Sequence, residues 1–287
     1  MLALVTNYYN PSGNQRKENN FRQFANAIKG LPLFIVEAAF DKPFTLPVSD
    51  NVLHVRCKDV LWHQYALVNL RIKTLPEVYD KVVWVDADIL FDDPDWFSNM
   101  DALLDDFKMV QSFGKINLTN EDGSLGNWRT GVTKRSLSFG ELDLSAKYAT
   151  GFSWGVQRDV IEKHGLYNYW ITGSDDVAFL IAIWGKWKDA FMNRLNPNMK
   201  SHYLEWAEPF HKYINRSVSY IDVPARHLWH GHRFYRKRWL CLKDFDPFND
   251  VVMSDLGVLE WSSDKPKMHQ CCESMCLNYD KEFRLMI

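Results

Sequence analysis

Lys81-Val-Val-Trp-Val-Asp-Ala-Asp-Ile-Leu-Phe91 decides the fold. A run of β-branched and aromatic residues, Val82 to Val85, ends in two aspartates, Asp86 and Asp88, with the small Ala87 between them. Such a run predicts a strand of a parallel sheet covered on both faces. In sheets of that kind ligands bind at the carboxyl ends of the strands. Two carboxylates at that edge can share one hard divalent cation, which prefers oxygen donors. The plainer reading is a pair that ends a strand and solvates a turn. The apolar run directly before the pair, and the room that Ala87 leaves, favour a metal–diphosphate site.

The pattern on either side is that of an α/β chain. Leu2 to Thr6 reads as a first strand, followed by a turn-rich loop, Asn7 to Asn14, that carries Tyr8 and Tyr9. Glu18 to Lys29 has the helical period, with Phe21, Phe24, Ala25 and Ile28 on one face and Gly30 as the stop. Leu33 to Glu37 and Asn51 to Arg56 read as the next strands. Asp59 is the expected cap of a helix that places Leu61, Tyr65, Val68 and Ile72 on one face and ends before Pro76. After the D-x-D strand, Asp92-Asp-Pro-Asp95 opens a helix through Leu104, and Met109 to Phe113 is a strand. Gly114 to Ser145 is polar and weakly periodic, and is expected to be a long functional loop. Thr150 to Val156 reads as a strand with glycines where something approaches closely. Ser174 is the expected cap of a helix from Asp175 to Trp184.

Length and composition fit one large domain, or one with an appended lobe: 287 residues, 46% hydrophobic and 24% charged. A net charge of −2 argues against nonspecific nucleic-acid binding by the overall field. Met1 to Thr6 is too short an apolar run for a signal peptide or anchor, and no later run is long enough to span a membrane. A soluble chain in the cytoplasm (the host's, for a viral protein) is the expectation. The odd count of five cysteines, Cys57, Cys241, Cys271, Cys272 and Cys276, without a signal peptide predicts reduced thiols, and the cluster from His269 to Cys276 lacks a second zinc knuckle, so they are expected to be unliganded.

The motif and its surroundings resemble the D-x-D glycosyltransferases of the GT-A fold, most of all soluble nucleotide-diphospho-sugar transferases of bacteria and phages. Four stretches carry the resemblance in order: Leu61 to Leu70, Gly151-Phe-Ser-Trp-Gly-Val-Gln-Arg158, Gly173-Ser-Asp-Asp176 and His227-Leu-Trp-His-Gly-His-Arg233. It implies an α/β fold with a mixed, mostly parallel central sheet flanked by helices. It also implies a catalytic domain over 1–245, with 246–287 as a tail packed on the core. The cofactor implied is Mn2+ or Mg2+, and the donor a nucleoside-diphosphate sugar.

The resemblance also distributes roles. Asp86 and Asp88 would hold the metal, completed by His230, with His227 as second choice; a neutral imidazole suits an oxygen-rich divalent site. The loop after the first strand would meet the nucleotide base, so Thr6, Tyr8 and Tyr9 are donor-binding candidates, with Arg16 and Lys17 in reach of the diphosphate. Asn69 and Arg71 would face the donor, although His63, Gln64 and Tyr65 stand where relatives tend to carry a lysine–glutamate pair. Gly151 and Trp154 would shape the sugar pocket. Arg233 and Arg236, with Lys237, would steady the leaving diphosphate. An inverting transfer needs a base for the acceptor hydroxyl. The G-x-x-D pattern puts that role on Asp176, with Asp175 as alternate; both also suit a helix start as plain structure.

Three other readings are weighed. Basic residues interleaved with aromatics from Arg226 to Trp239 suggest DNA as acceptor, as for a phage enzyme that glycosylates a hydroxylated base. A noncatalytic nucleic-acid- or sugar-binding module would use the same segment. A nucleotidyltransferase would need a glycine-rich basic loop after the first strand, and Asn7 to Lys17 contains only Gly13. The sequence leaves the acceptor and the oligomeric state open.

Overall fold

The computed structural model describes residues 1–231 and 241–278. In chain order the elements are β1 (Leu2–Tyr9), α1 (Gln15–Ala27), β2 (Leu33–Ala39), β3 (Val52–Arg56), α2 (Gln64–Lys73), β4 (Lys81–Val85), β5 (Ile89–Phe91) and α3 (Trp96–Asp106). Then come β6 (Met109–Gln111), β7 (Lys115–Leu118), β8 (Asn127–Gly131), α4 (Val132–Phe139), β9 (Tyr148–Ala149), β10 (Ser153–Gln157) and α5 (Arg158–His164). The rest are α6 (Asp175–Trp184), α7 (Pro197–Ile214), β11 (Val218–Tyr220), β12 (Pro224–His227), β13 (Val251–Met253), β14 (Leu259–Trp261) and α8 (Pro266–Asn278).

The main sheet has seven strands in the order β11-β6-β10-β4-β1-β2-β3, and only β10 runs against the others. This is the mixed, mostly parallel α/β sheet expected. The alternation of side chains along β4 feeds both faces: Val82 and Trp84 join the core under α2, α6 and α7, while Val83 and Val85 join the core under α1 and α3. Gly155 lets α3 lie close on β10, since a Cβ there would sit 2.4 Å from Met100 Sδ.

A second sheet, in the order β5-β12-β7-β8-β9, stands beside the D-x-D turn. Here the structure corrects the expected long loop after Gly114: β7, β8 and α4 occupy most of it. Strand pairing across the second sheet satisfies its backbone, and no local period in the sequence announces such short strands. Two further corrections concern α1 and α2. The first helix begins at Gln15, where the Asn14 side chain accepts from the Arg16 and Lys17 amides. The second begins only at Gln64, so Asp59 does not cap it; the Asp59 carboxylate accepts from Trp261 N at 2.8 Å instead.

That bond is one of several that hold residues beyond 245 to the preceding chain. Val258 is buried with Val36, Val55 and Leu67, and Met268 and Cys272 are buried in the larger core. Cys241 and Cys271 form a disulfide that ties α8 down. The expectation of five reduced thiols is therefore corrected. Cys57, Cys272 and Cys276 are free and buried. Among the described residues, no helix is long and apolar enough to cross a membrane.

Candidate active site

Strand β4 delivers the motif to the sheet's carboxyl edge. Asp86 N bonds Phe152 O at 2.8 Å, and Ile89 N bonds Asp86 O, which closes the turn and aims both aspartates outward. Strand β12 then pairs with β5 antiparallel, setting His227 opposite Ile89, and Leu228 N bonds Asp88 O at 2.9 Å. That register carries the distant histidines to the motif. His227 Nε2 lies 3.5 Å and His230 Nε2 3.6 Å from Asp88 Oδ2. Both imidazoles are buried.

One ligand atom from each of Asp88, His227 and His230 falls within 4.8 Å of the others. Donors so spaced suit a common cation with bonds of about 2 Å. One carboxylate oxygen and two imidazole nitrogens are a recognised donor set for a first-row divalent ion. Asp86 lies beside this trio rather than in it, and its Oδ1 accepts from Gln64 Nε2 at 2.7 Å. Both histidines weighed as alternatives thus reach Asp88.

Two cavities meet at Asp86. The first, of about 130 Å3, is lined by Asn7, Tyr8, Tyr9, Lys17, His63 and the Asp88–His227–His230 trio, among others. Tyr8 and Tyr9 do reach it, but from the end of β1 rather than from a loop. The Tyr9 hydroxyl donates to Leu61 O at 2.7 Å, and its ring meets Phe40, Trp62 and His63 edge-on or tilted. Tyr8 packs on Phe21, and burial raises its phenol's pKa. Lys17 Nζ donates to Tyr9 O at 3.3 Å. Burial pushes the His63 imidazole down to about 4, so this ring is uncharged at neutral pH.

The second cavity, of about 460 Å3, is lined by Asp86, Asp175, Asp176, Gly151, Tyr148, Arg129 and Arg194, among others. Trp62 and Gln64 border both cavities. Asp175 is buried and accepts from Trp62 Nε1 at 3.2 Å. Asp176 is partly exposed and accepts from the Thr150 hydroxyl. Gly151 is fitted to it: a Cβ there would lie 3.0 Å from Asp176 Oδ2. Ser174, before α6, has φ 79° and makes no side-chain cap, contrary to the expectation from sequence. Phe152 also has positive φ, at 77°. Two non-glycine residues with positive φ lining one cavity are strain of the kind that collects at functional sites.

Several sequence candidates lie elsewhere. Thr6 is buried and its hydroxyl donates to Val85 O at 2.7 Å, stapling β1 to β4. Asn69 makes two bonds of 2.7 Å with the Leu166 backbone. Arg71 is buried at the far end of α2, bonded to Thr74 Oγ1 and Asp50 O and stacked over Phe34. Trp154 is fully buried against Phe179, with its indole N–H on Thr150 O. These four are structural because each already has its polar partner inside the protein. Arg16 turns away to Glu121 O and the Trp229 ring. Arg233, Arg236 and Lys237 lie outside the described residues, as does most of the basic segment proposed for DNA. Sequence reasoning missed Trp62, Arg129 and Arg194 as site residues and gave Gln64 no role. Gln64 and Trp62 were signalled only by their place at and just before the start of a helix near the motif.

No protein-family model matches the chain, and no curated protein matches it. Among solved structures, similarity is found to S. aureus TarS 1–349 (10% identity, 63% of this chain, 54% of that chain, TM-score 0.37). It is also found to the catalytic domain of Drosophila β1,4-galactosyltransferase 7 in complex with xylobiose (13%, 94% and 98%, 0.41). A third is glucosyl-3-phosphoglycerate synthase of Mycobacterium tuberculosis with Mn2+, uridine diphosphate and phosphoglyceric acid (9%, 85% and 74%, 0.42). A nucleotidyltransferase, 4-diphosphocytidyl-2C-methyl-D-erythritol synthase of Anaerococcus prevotii, also matches (10%, 78% and 87%, 0.35). The chain spans about half the length of the TarS chain it matches.

Proposed function

We propose that this protein is a metal-dependent glycosyltransferase that moves a sugar from a nucleoside diphosphate to an acceptor hydroxyl with inversion. The observation that carries this reading is the Asp88–His227–His230 trio at the carboxyl end of β4, where two cavities share the Asp86 carboxylate. Asp88, His227 and His230, with Asp86 adjacent, would hold the cation. Two imidazoles favour a transition-series ion such as Mn2+ over Mg2+, which takes oxygen ligands. An ion held by these residues would supply positive charge where the leaving diphosphate gains negative charge.

The donor nucleotide occupies the cavity walled by Tyr8, Tyr9 and His63, with Lys17 on the phosphate side. The acceptor enters the cavity beyond Asp86. Asp176 takes the acceptor hydroxyl's proton as that oxygen bonds the anomeric carbon. The bond from the anomeric carbon to the diphosphate oxygen breaks, and its electron pair leaves with the nucleotide. Thr150 donates to Asp176 Oδ2 and so fixes which lone pairs face the acceptor.

Thermal shift with UDP-, GDP-, CDP- and dTDP-sugars, each with Mn2+ and with a chelator, tests the proposal. One nucleotide that stabilises only with metal is the expected result, because a ligand of the native state raises apparent stability with the logarithm of its excess over Kd. No stabilisation by any donor under either condition would sink it. Release of pyrophosphate from a nucleoside triphosphate would redirect it to nucleotidyl transfer.

A further inference from the structure

The second cavity contains a cation whose role the transfer reaction leaves unassigned. Arg129 lies in the middle of β8, opposite Ile116 of β7, next to the residue paired with Tyr148. Strand alternation sends its neighbour Trp128 outward, where the ring is 45% exposed beneath Lys115 Nζ, and turns Arg129 to the cavity side. Arg135 binds Tyr148 and Glu141, Arg158 binds Glu162 and Arg226 binds Asp92. Among the described residues Arg129 makes no side-chain hydrogen bond, ion pair or ring contact.

That isolation is unusual for its setting, because Asp86, Asp175 and Asp176 line the same cavity. They accept from Gln64, Trp62 and Thr150, and none of these bonds involves Arg129. A guanidinium offers a planar fork of donors suited to a carboxylate or phosphate. Facing a cavity large enough for a sugar, with Tyr148 held by Arg135 alongside, that fork meets whatever occupies the cavity. The three carboxylates would repel an anion at the Asp176 end. Arg129 comes from β8 of the second sheet and Asp176 from the first turn of α6, so the anionic and hydroxyl ends of one acceptor would meet different elements.

We propose that the acceptor carries a carboxylate or phosphate group, and that Arg129 binds it while Asp176 faces the hydroxyl. The assignment of the cavity to the acceptor rests on the glycosyl-transfer reading above. Arg129 is here a specificity-determining residue, distinct from the groups that move the proton or hold the metal.

The test is calorimetric binding of three probes, without donor or metal: methyl β-D-glucoside, methyl β-D-glucuronide and methyl β-D-glucoside 6-phosphate. Wild type should bind one of the charged probes at least about tenfold tighter than the neutral glucoside, and the tighter anion names the acceptor's charged group. Arg129→Gln should remove that preference, and Arg129→Lys, which keeps charge without the fork, should retain only part of it. Both variants should keep the wild-type melting temperature, because the side chain packs on no partner. Equal or undetectable binding of all three probes overturns the proposal, as does a preference that survives in Arg129→Gln. Because no nucleotide is present, failure of the donor panel leaves this readout standing, and failure here leaves the donor panel intact.

Discussion

Gln64 Nε2 donates to Asp86 Oδ1 at 2.7 Å, so the first residue of α2 orients the first aspartate of the motif. Two residues earlier, Trp62 Nε1 reaches Asp175. A three-residue approach to one helix therefore positions carboxylates in both cavities. Groups that orient a metal-site ligand typically matter by about 10–100-fold in metal affinity or activity. Gln64→Ala should weaken Mn2+ binding within that range, with little change in melting temperature. A metal titration followed by nucleotide binding checks it.

Asp88 is the point on which both imidazoles converge. Asp88→Ala should abolish the metal-dependent part of nucleotide binding while the protein stays folded. His230→Ala should weaken it, since His227 and Asp86 remain nearby. Calorimetry with Mn2+ and with a chelator separates the two, and unchanged metal dependence in Asp88→Ala would discard the site.

Asp176 and Asp175 are separable by conservative change. Asp176→Asn removes the proton acceptor and should lower kcat by about 10²–10⁴-fold with donor affinity preserved. Asp175→Asn keeps an oxygen for the Trp62 indole and should cost far less. The reverse ranking in a steady-state assay would transfer the base role to Asp175.

His63 makes stability sensitive to acid. Its imidazole titrates near 4 in the folded protein against an ordinary 6.5, because burial disfavours the charged form. The unfolded chain takes up that proton as pH falls through 6.5, and the folded chain only near 4. Stability is therefore full above about 6.5 and falls by about 3 kcal/mol on the way to 4. Denaturant unfolding from pH 7 to 4 should show this slope, and His63→Phe should flatten it.

Cys241 and Cys271 close a loop with a sequence separation of 30. Bridges of this span contribute about 2–4 kcal/mol. Cys241→Ser or a reductant should lower the denaturation midpoint accordingly. The thiol of Cys57, pushed up to about 12 by burial, should stay unreactive to alkylating agents in the native state.

The long periodic elements were legible before any coordinates. Amphipathic spacing announced α1, and the apolar run before Asp86 announced β4, because each pattern repeats a local geometry. The second sheet was not legible. Strands β5, β7, β8, β9 and β12 hold two to five residues each and exist through their pairing with chain far away. Asn69, Arg71 and Trp154 were misread for a related reason: residue type shows a polar handle but not which backbone group has already taken it.

By itself the sequence determined the α/β class, the D-x-D edge, and the residue types from which a metal site and a base are chosen, all properties of neighbours along the chain. Only the tertiary structure decided that His227 and His230 both converge on Asp88, that Gln64 and Trp62 hold the carboxylates, and that Arg129 lines the cavity of Asp175 and Asp176. The pairing of β12 with β5 brings together residues more than 130 positions apart, and such a register is set by packing and backbone hydrogen bonds across the whole fold.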